Sequence, residues 1–227
     1  MTSVALIPAR GGSKGISRKN IKPFNSQPLI YWSIKAALSS NYIDRVIVST
    51  EDKEIAEIAR SFSAEIPFFR PMELAMDNTP GIDPVLHALD NLPDVKDLLL
   101  LQPTSPLRES RHIDEIFRLR SKLNSDSAVS VSLSRKNIDL FFHMKSMNQL
   151  EPYSENFKAL PRQEYPDLFT LNGSLYLSSA ESLISNKSFF SSNTVGYVMD
   201  PEYSIDIDTQ LDWDIAEFLM AKKYSLF

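Results

Sequence analysis

The chain has 227 residues, of which 43% are hydrophobic and 23% charged, and a net charge of -5. This is the composition of an ordinary globular protein with one large core and a small appendage. There is no cysteine, and His87, His112 and His143 stand at no metal-ligand spacing, which excludes a disulfide framework, a thiolate zinc site and transition-metal chemistry.

The apolar start VALIPA is too short for a secretory leader, and no stretch approaches the length of a membrane span, so a cytoplasmic protein that binds no membrane is expected; a basic block on an otherwise acidic chain suggests a small anionic ligand rather than nucleic acid. From the N-terminus, SVALIPA reads as a buried strand and PLIYWSIKAALSS as a helix. DRVIVST is a second strand and EDKEIAEIARSF an amphipathic helix. DPVLHALDNL continues as a helix, DLLLLQPTSP as a strand ending at Pro103, SRHIDEIFRLRSKL as a helix and SAVSVSLS as a strand. Residues 137–169 break this rhythm. They carry Phe141, Phe142, Met144 and Met147 close together with three prolines, and read as an insertion within a single 1–227 domain, either a satellite core or a surface for a partner chain. FTLNGSLYLSS and TVGYVMD resume the alternation, and a helix from about Thr209 to Lys223 ends it. The predicted fold is three-layer α/β with a mostly parallel, Rossmann-like sheet. Ligands then belong at the carboxyl ends of the strands, in the loops after Ala9, Ser49 and Leu101.

The first of these loops holds most of the legible chemistry. Of six glycines in the chain, Gly11, Gly12 and Gly15 fall within five residues. Residues 1–43 carry Arg10, Lys14, Arg18, Lys19, Lys22 and Lys35 and no acid, which leaves -11 on the rest. A glycine-rich turn with interleaved cations is suited to cradle phosphate through backbone N–H groups, the alternative being a solvated basic turn. The spacing is neither that of a Walker A loop nor G-x-G-x-x-G. In SIDIDTQLDWD, Asp206 and Asp208 are two apart, so an extended backbone turns both to one face, where one hard cation fits. Thr209 or Asp208 as a mere helix N-cap is the competing reading, and Asp212 and Asp214 fall on a solvated helix face.

Together, IPARGGSKGISRKNI, LLQPTSPLR, RQEYPDLFTLNGSLY and SIDIDTQLDWDIAE resemble the CMP-N-acylneuraminate (CMP-sialic acid) synthetases, cytidylyltransferases that activate nine-carbon acidic sugars. The resemblance runs through the whole chain in order. Ser17 departs from it, standing where the family has proline, and RGGSKG favours this branch over the CMP-Kdo synthetases. Gln102 favours the neuraminate type over the pseudaminate type. The resemblance implies transfer of CMP from CTP to the anomeric hydroxyl of a 2-keto sugar acid, with Mg²⁺, in a homodimer whose inserted segment reaches the partner's site. It assigns Arg10, Gly11, Gly12, Ser13, Lys14 and Gly15 to the phosphates, and Lys19, Asn20, Arg70, Gln102 and Ser105 to the rest of the nucleotide. Arg162, Gln163, Asn172 and Gly173, with Gln102, fall to the sugar, and Asp206 and Asp208 to the metal. Legionaminate, pseudaminate and Kdo remain alternative sugars.

Overall fold

A computed structural model describes residues 2–134, 136–154 and 166–224. Its central sheet has six strands: β1 (Thr2–Pro8), β4 (Arg45–Ser49), β5 (Val95–Leu101), β6 (Ser127–Leu133), β9 (Phe169–Ser179) and β10 (Val195–Val198). They lie in the order β10-β6-β9-β5-β1-β4. Pairing is parallel except along β9, which runs antiparallel to both β5 and β6. The expected mostly parallel α/β architecture is therefore present.

The strands follow from two-sided burial. In β1, Ala5 and Ile7 join the core beneath α1 (Leu29–Leu38), α2 (Lys53–Ser61) and α4 (Ser110–Lys122), while Val4 and Leu6 join the opposite core with α3 (Asp83–Asp90) and α5 (Ala180–Asn186). In β5, Leu99 and Leu101 face one layer and Leu98 and Leu100 the other. A strand covered on both faces needs a continuous apolar run, which is why neither strand alternates in sequence. A third cluster positions the site. Ile16, at the end of the glycine loop, and Ile207, between the two aspartates, pack with Phe24, Leu29 and Trp32 against Trp213 of α6 (Gln210–Tyr224). Phe24 and Trp213 meet edge to face with ring centroids 5.3 Å apart.

Three features go beyond the expected elements. A tight hairpin, β2 (Pro23–Phe24) and β3 (Gln27–Pro28), turns through Asn25 and Ser26 in left-handed backbone, α5 follows β9 directly, and β5 stops at Leu101, before Pro103. Part of the insertion forms the two-stranded ribbon β7 (Phe142–Met144) and β8 (Leu150–Pro152). Phe141, Phe142, Met144 and Met147 are exposed, so those side chains do not form a buried satellite core.

Candidate active site

A cleft of about 690 Å³ opens where the parallel strands end. One wall is the glycine loop, contributing Arg10, Gly12, Ser13, Lys14 and Gly15, with Lys19 and Asn20 behind it. Gln102 and Thr104 follow β5, and Asp206 and Asp208 close the same end. Sequence positions as distant as 10, 102 and 208 are thus brought together at one end of the sheet.

Loop and acidic segment are fitted to one another by backbone contact. A Cβ on Gly15 would lie 2.3 Å from the carbonyl oxygen of Asp208, so only glycine permits this approach. Lys19 donates through Nζ to Ile207 O at 2.5 Å and lies 3.5 Å from the Asp208 carboxylate. Asn20 donates to Arg10 O at 2.9 Å and so ties the two ends of the loop. The cations at the loop's mouth are met by an acid from across the cleft: Asp77 lies 2.8 Å from Arg10 and 3.0 Å from Lys14. Those cations hold the Asp77 carboxyl below the usual range, Lys14 contributing most. In this structure an internal carboxylate stands where an anionic ligand of the loop would be received.

The acidic end is asymmetric. Asp208 is well exposed, whereas Asp206 is partly buried with its Oδ1 enclosed and without a hydrogen-bond partner. Burial pushes the Asp206 carboxyl upward; the Thr104 hydroxyl opposes that shift, and neighbouring Asp208 adds to it. Asp206 also touches the strand opposite, since a Cβ on Gly173, whose φ is +73°, would lie 3.0 Å from Asp206 Oδ2 and 3.3 Å from Gln102 Oε1. Asp212 is more than a solvated residue. Its Oδ2 accepts from the Thr209 amide and hydroxyl, both at 2.7 Å, and from the Asp208 amide at 3.2 Å. Thr209 Oγ1 in turn receives the Asp212 amide at 3.3 Å, which completes a reciprocal cap at the start of α6. The cap falls on Thr209 and Asp212, and both Asp206 and Asp208 still line the cleft. Asp214 accepts from Gln210 at 2.7 Å.

Several expected residues sit behind the cleft rather than in it. The Gly11 amide donates to Glu51 Oε1 at 2.7 Å, beside Asp52 at the N-cap of α2, which is paired with Arg18. Ser105 is fully buried with an unpartnered hydroxyl, since its turn faces the core. Asn172 spends its amide on Ser130 and Ser204, at 2.6 and 2.9 Å, and so fixes β9 instead of facing ligand. Arg70 does line the cleft, held by Glu51 at 2.8 Å with both side chains nearly buried. Arg162 and Gln163 lie outside the described residues. Asp77, Thr104, Tyr176 and the Lys187–Phe190 rim, all in the lining, were not singled out in sequence. None of these carried a local signal in sequence; Lys187 stands in left-handed backbone at the end of α5, where its residue type gives no warning.

Among the described residues no group of three or more His, Cys, Asp or Glu side chains is arranged to hold a metal ion. Two carboxylates with one enclosed free oxygen nevertheless match the way Mg²⁺ is held beside a triphosphate, by one or two carboxylates with phosphate oxygens and water.

Comparison with known proteins agrees with this geometry. The chain is 34% identical over 221 residues to the N-acylneuraminate cytidylyltransferase of Escherichia coli O18:K1:H7, a match covering 97% of this chain and 52% of that protein, so the chain spans about half of that relative's length. It is 37% identical to the CMP-N,N'-diacetyllegionaminic acid synthase of Legionella pneumophila, with 97% of both chains covered. Its fold resembles that of a CMP-2-keto-3-deoxy-manno-octonic acid synthetase solved with CTP, at a TM-score of 0.75, 15% identity and coverage of 98% and 100% of the two chains. A family model described as cytidylyltransferase matches residues 4–222, and the chain belongs to that family.

Proposed function

We propose that the protein is a CMP-N-acylneuraminate synthetase: CTP and a nine-carbon 2-keto sugar acid react to give the CMP-sugar and diphosphate. The observation that carries this reading is the convergence of a glycine-rich basic loop and two carboxylates on one cleft at the strand ends. Arg10 and Lys14 exchange Asp77 for the β- and γ-phosphates, with Ser13 and the Gly12 and Gly15 amides around them. Fixed cations at the departing diphosphate stabilise charge that develops during transfer. Lys19, Asn20 and Arg70, in the lining, serve the nucleotide in this reading, and Gln102 in the same lining, able both to donate and accept, serves nucleotide and sugar. The sugar's anomeric hydroxyl attacks the α-phosphorus in line and diphosphate departs; the resemblance assigns the sugar's carboxylate to Arg162 and Gln163, which lie outside the described residues. Asp206 and Asp208 hold Mg²⁺, which when bound supplies positive charge to the phosphate oxygens.

The exposed apolar ribbon supports assembly as a homodimer through residues 137–169. No helix among the described residues is long and apolar enough to cross a membrane, and we place the reaction in the cytoplasm. Legionaminate is the second reading, favoured by the end-to-end match to the Legionella enzyme. Diphosphate release from CTP and Mg²⁺ across N-acetylneuraminic, legionaminic, pseudaminic and Kdo acids decides between them. Release with N-acetylneuraminate above the rest supports the first, preference for legionaminate the second. Release with none of the four, or equally with other nucleoside triphosphates, refutes both.

A further inference from the structure

Arg108 ends the QPTSPLR stretch and is only 4% exposed. Its guanidinium reaches three elements at once. Nη1 donates to Ser174 O at 2.9 Å and to Ser174 Oγ at 3.3 Å on β9, and Nη2 donates to Gln102 O at 2.9 Å and to the Ser33 hydroxyl of α1. Every acceptor is uncharged, Nε is buried without a partner, and among the described residues no carboxylate pairs with it. Burial pulls its pKa down to about 9, opposed only by the charge of Asp206.

A buried cation without an ion pair is costly, and an apolar side chain of like volume would fill the same space more cheaply. What an apolar side chain lacks is the planar fork, which fixes two carbonyls at a set separation. Those carbonyls belong to Gln102 and to Ser174, the residue after Gly173. Gln102 and Asp206 both line the cleft and converge on Gly173, with Asp206 Oδ2 at 3.0 Å and Gln102 Oε1 at 3.3 Å from the position a Cβ would take there.

We infer that Arg108 is a positioning residue that clamps the end of β5 to β9, so that the Gln102 amide is held at the reacting end of the cleft. The inference rests on the cytidylyltransferase reading above. Misplacing Gln102 by a fraction of an ångström harms alignment of the two substrates more than binding of CTP, whose phosphates the reading above gives to the glycine loop rather than to Gln102.

The test is a set of variants assayed by diphosphate release. Arg108→Lys keeps the charge and loses the fork; kcat is expected to fall on the order of tenfold to a hundredfold with the KM for CTP within about twofold. In a Gln102→Ala background the same change has little further effect, whereas in a Lys14→Ala background it costs the full factor again. Ser33→Ala removes one anchor with little disturbance of packing and lowers kcat a few-fold, which carries the test if Arg108→Lys does not fold. A raised KM for CTP with unchanged kcat, additivity in the Gln102→Ala background, or wild-type kcat in Ser33→Ala overturns the clamp. An inactive wild-type protein defeats the functional reading instead. The clamp is then judged by the crystal structure of Ser33→Ala or Arg108→Lys, in which an unmoved Gln102 overturns it and a displaced one supports it.

Discussion

Protonation of His112 is expected to unlock the start of α4. Its ring is 2% exposed, stands edge-on to Tyr203 at 4.7 Å, and accepts the Glu109 amide at Nδ1 over 3.0 Å. Nδ1 is thus an acceptor, which a proton would abolish. Burial, helped by the charge of Arg111, pulls the pKa from 6.5 down to about 4. Between those values the unfolded chain binds the proton and the folded chain does not, so stability rises with pH. The contribution is complete above the unfolded pKa of 6.5 and is lost as pH falls towards about 4. A shift of that size is worth about 3 kcal/mol, with about 2 kcal/mol lost by roughly pH 5, before most carboxylates titrate. Urea denaturation from about pH 7.5 to about pH 5 measures it. His112→Gln keeps an acceptor for the Glu109 amide and removes the titration, so its stability should be nearly flat over that range. Parallel pH dependence in wild type and His112→Gln would refute the assignment.

Three further outcomes are expected. Gly15→Ala drives a Cβ into the Asp208 carbonyl, and should cost about 1–3 kcal/mol in thermal unfolding and reduce activity sharply; full stability would mean that the two segments separate freely. Asp206→Asn and Asp208→Asn should each lower kcat by orders of magnitude and raise the Mg²⁺ requirement, with CTP affinity changed less and Asp214→Asn silent; equal damage at Asp214 would place the cation elsewhere. Asp77→Asn frees Arg10 and Lys14 and should tighten CTP in calorimetric titration, most at low salt; weaker binding would show Asp77 to be a ligand rather than a competitor.

Much of this was legible from local pattern. The run VALI and the helical period of EIAEIARSF depend only on near neighbours, and the glycine loop announced its use by composition. The direction and place of β9 were not legible, because FTLNGSLYLSS marks a strand without marking which strands it joins or in which sense it runs. Asp77 read as one acid among 29, and it matters because residues 72–82 fold back over Arg10 and Lys14. Ser105 and Asn172 belonged to motifs that reach the cleft, yet neighbouring backbone and hydroxyls turn their side chains inward. Nothing in the sequence singled out Arg108, because its burial depends on Ser33, Gln102 and Ser174, which only the fold brings together.

The place of β9 also sets the order in which the chain becomes self-sufficient during synthesis. β5 and β6 leave the ribosome well before residues 169–179, yet each needs β9 to cover one edge, through ladders such as Leu99 with Leu177 and Val129 with Tyr176. A nascent chain that ends before Phe169 holds an open slot between two apolar strands, with unpaired backbone groups on both sides. Such a fragment is a natural client for a holding chaperone, and a pause in translation within the insertion would lengthen the exposure. The sheet becomes secure only when its late strand arrives in the middle.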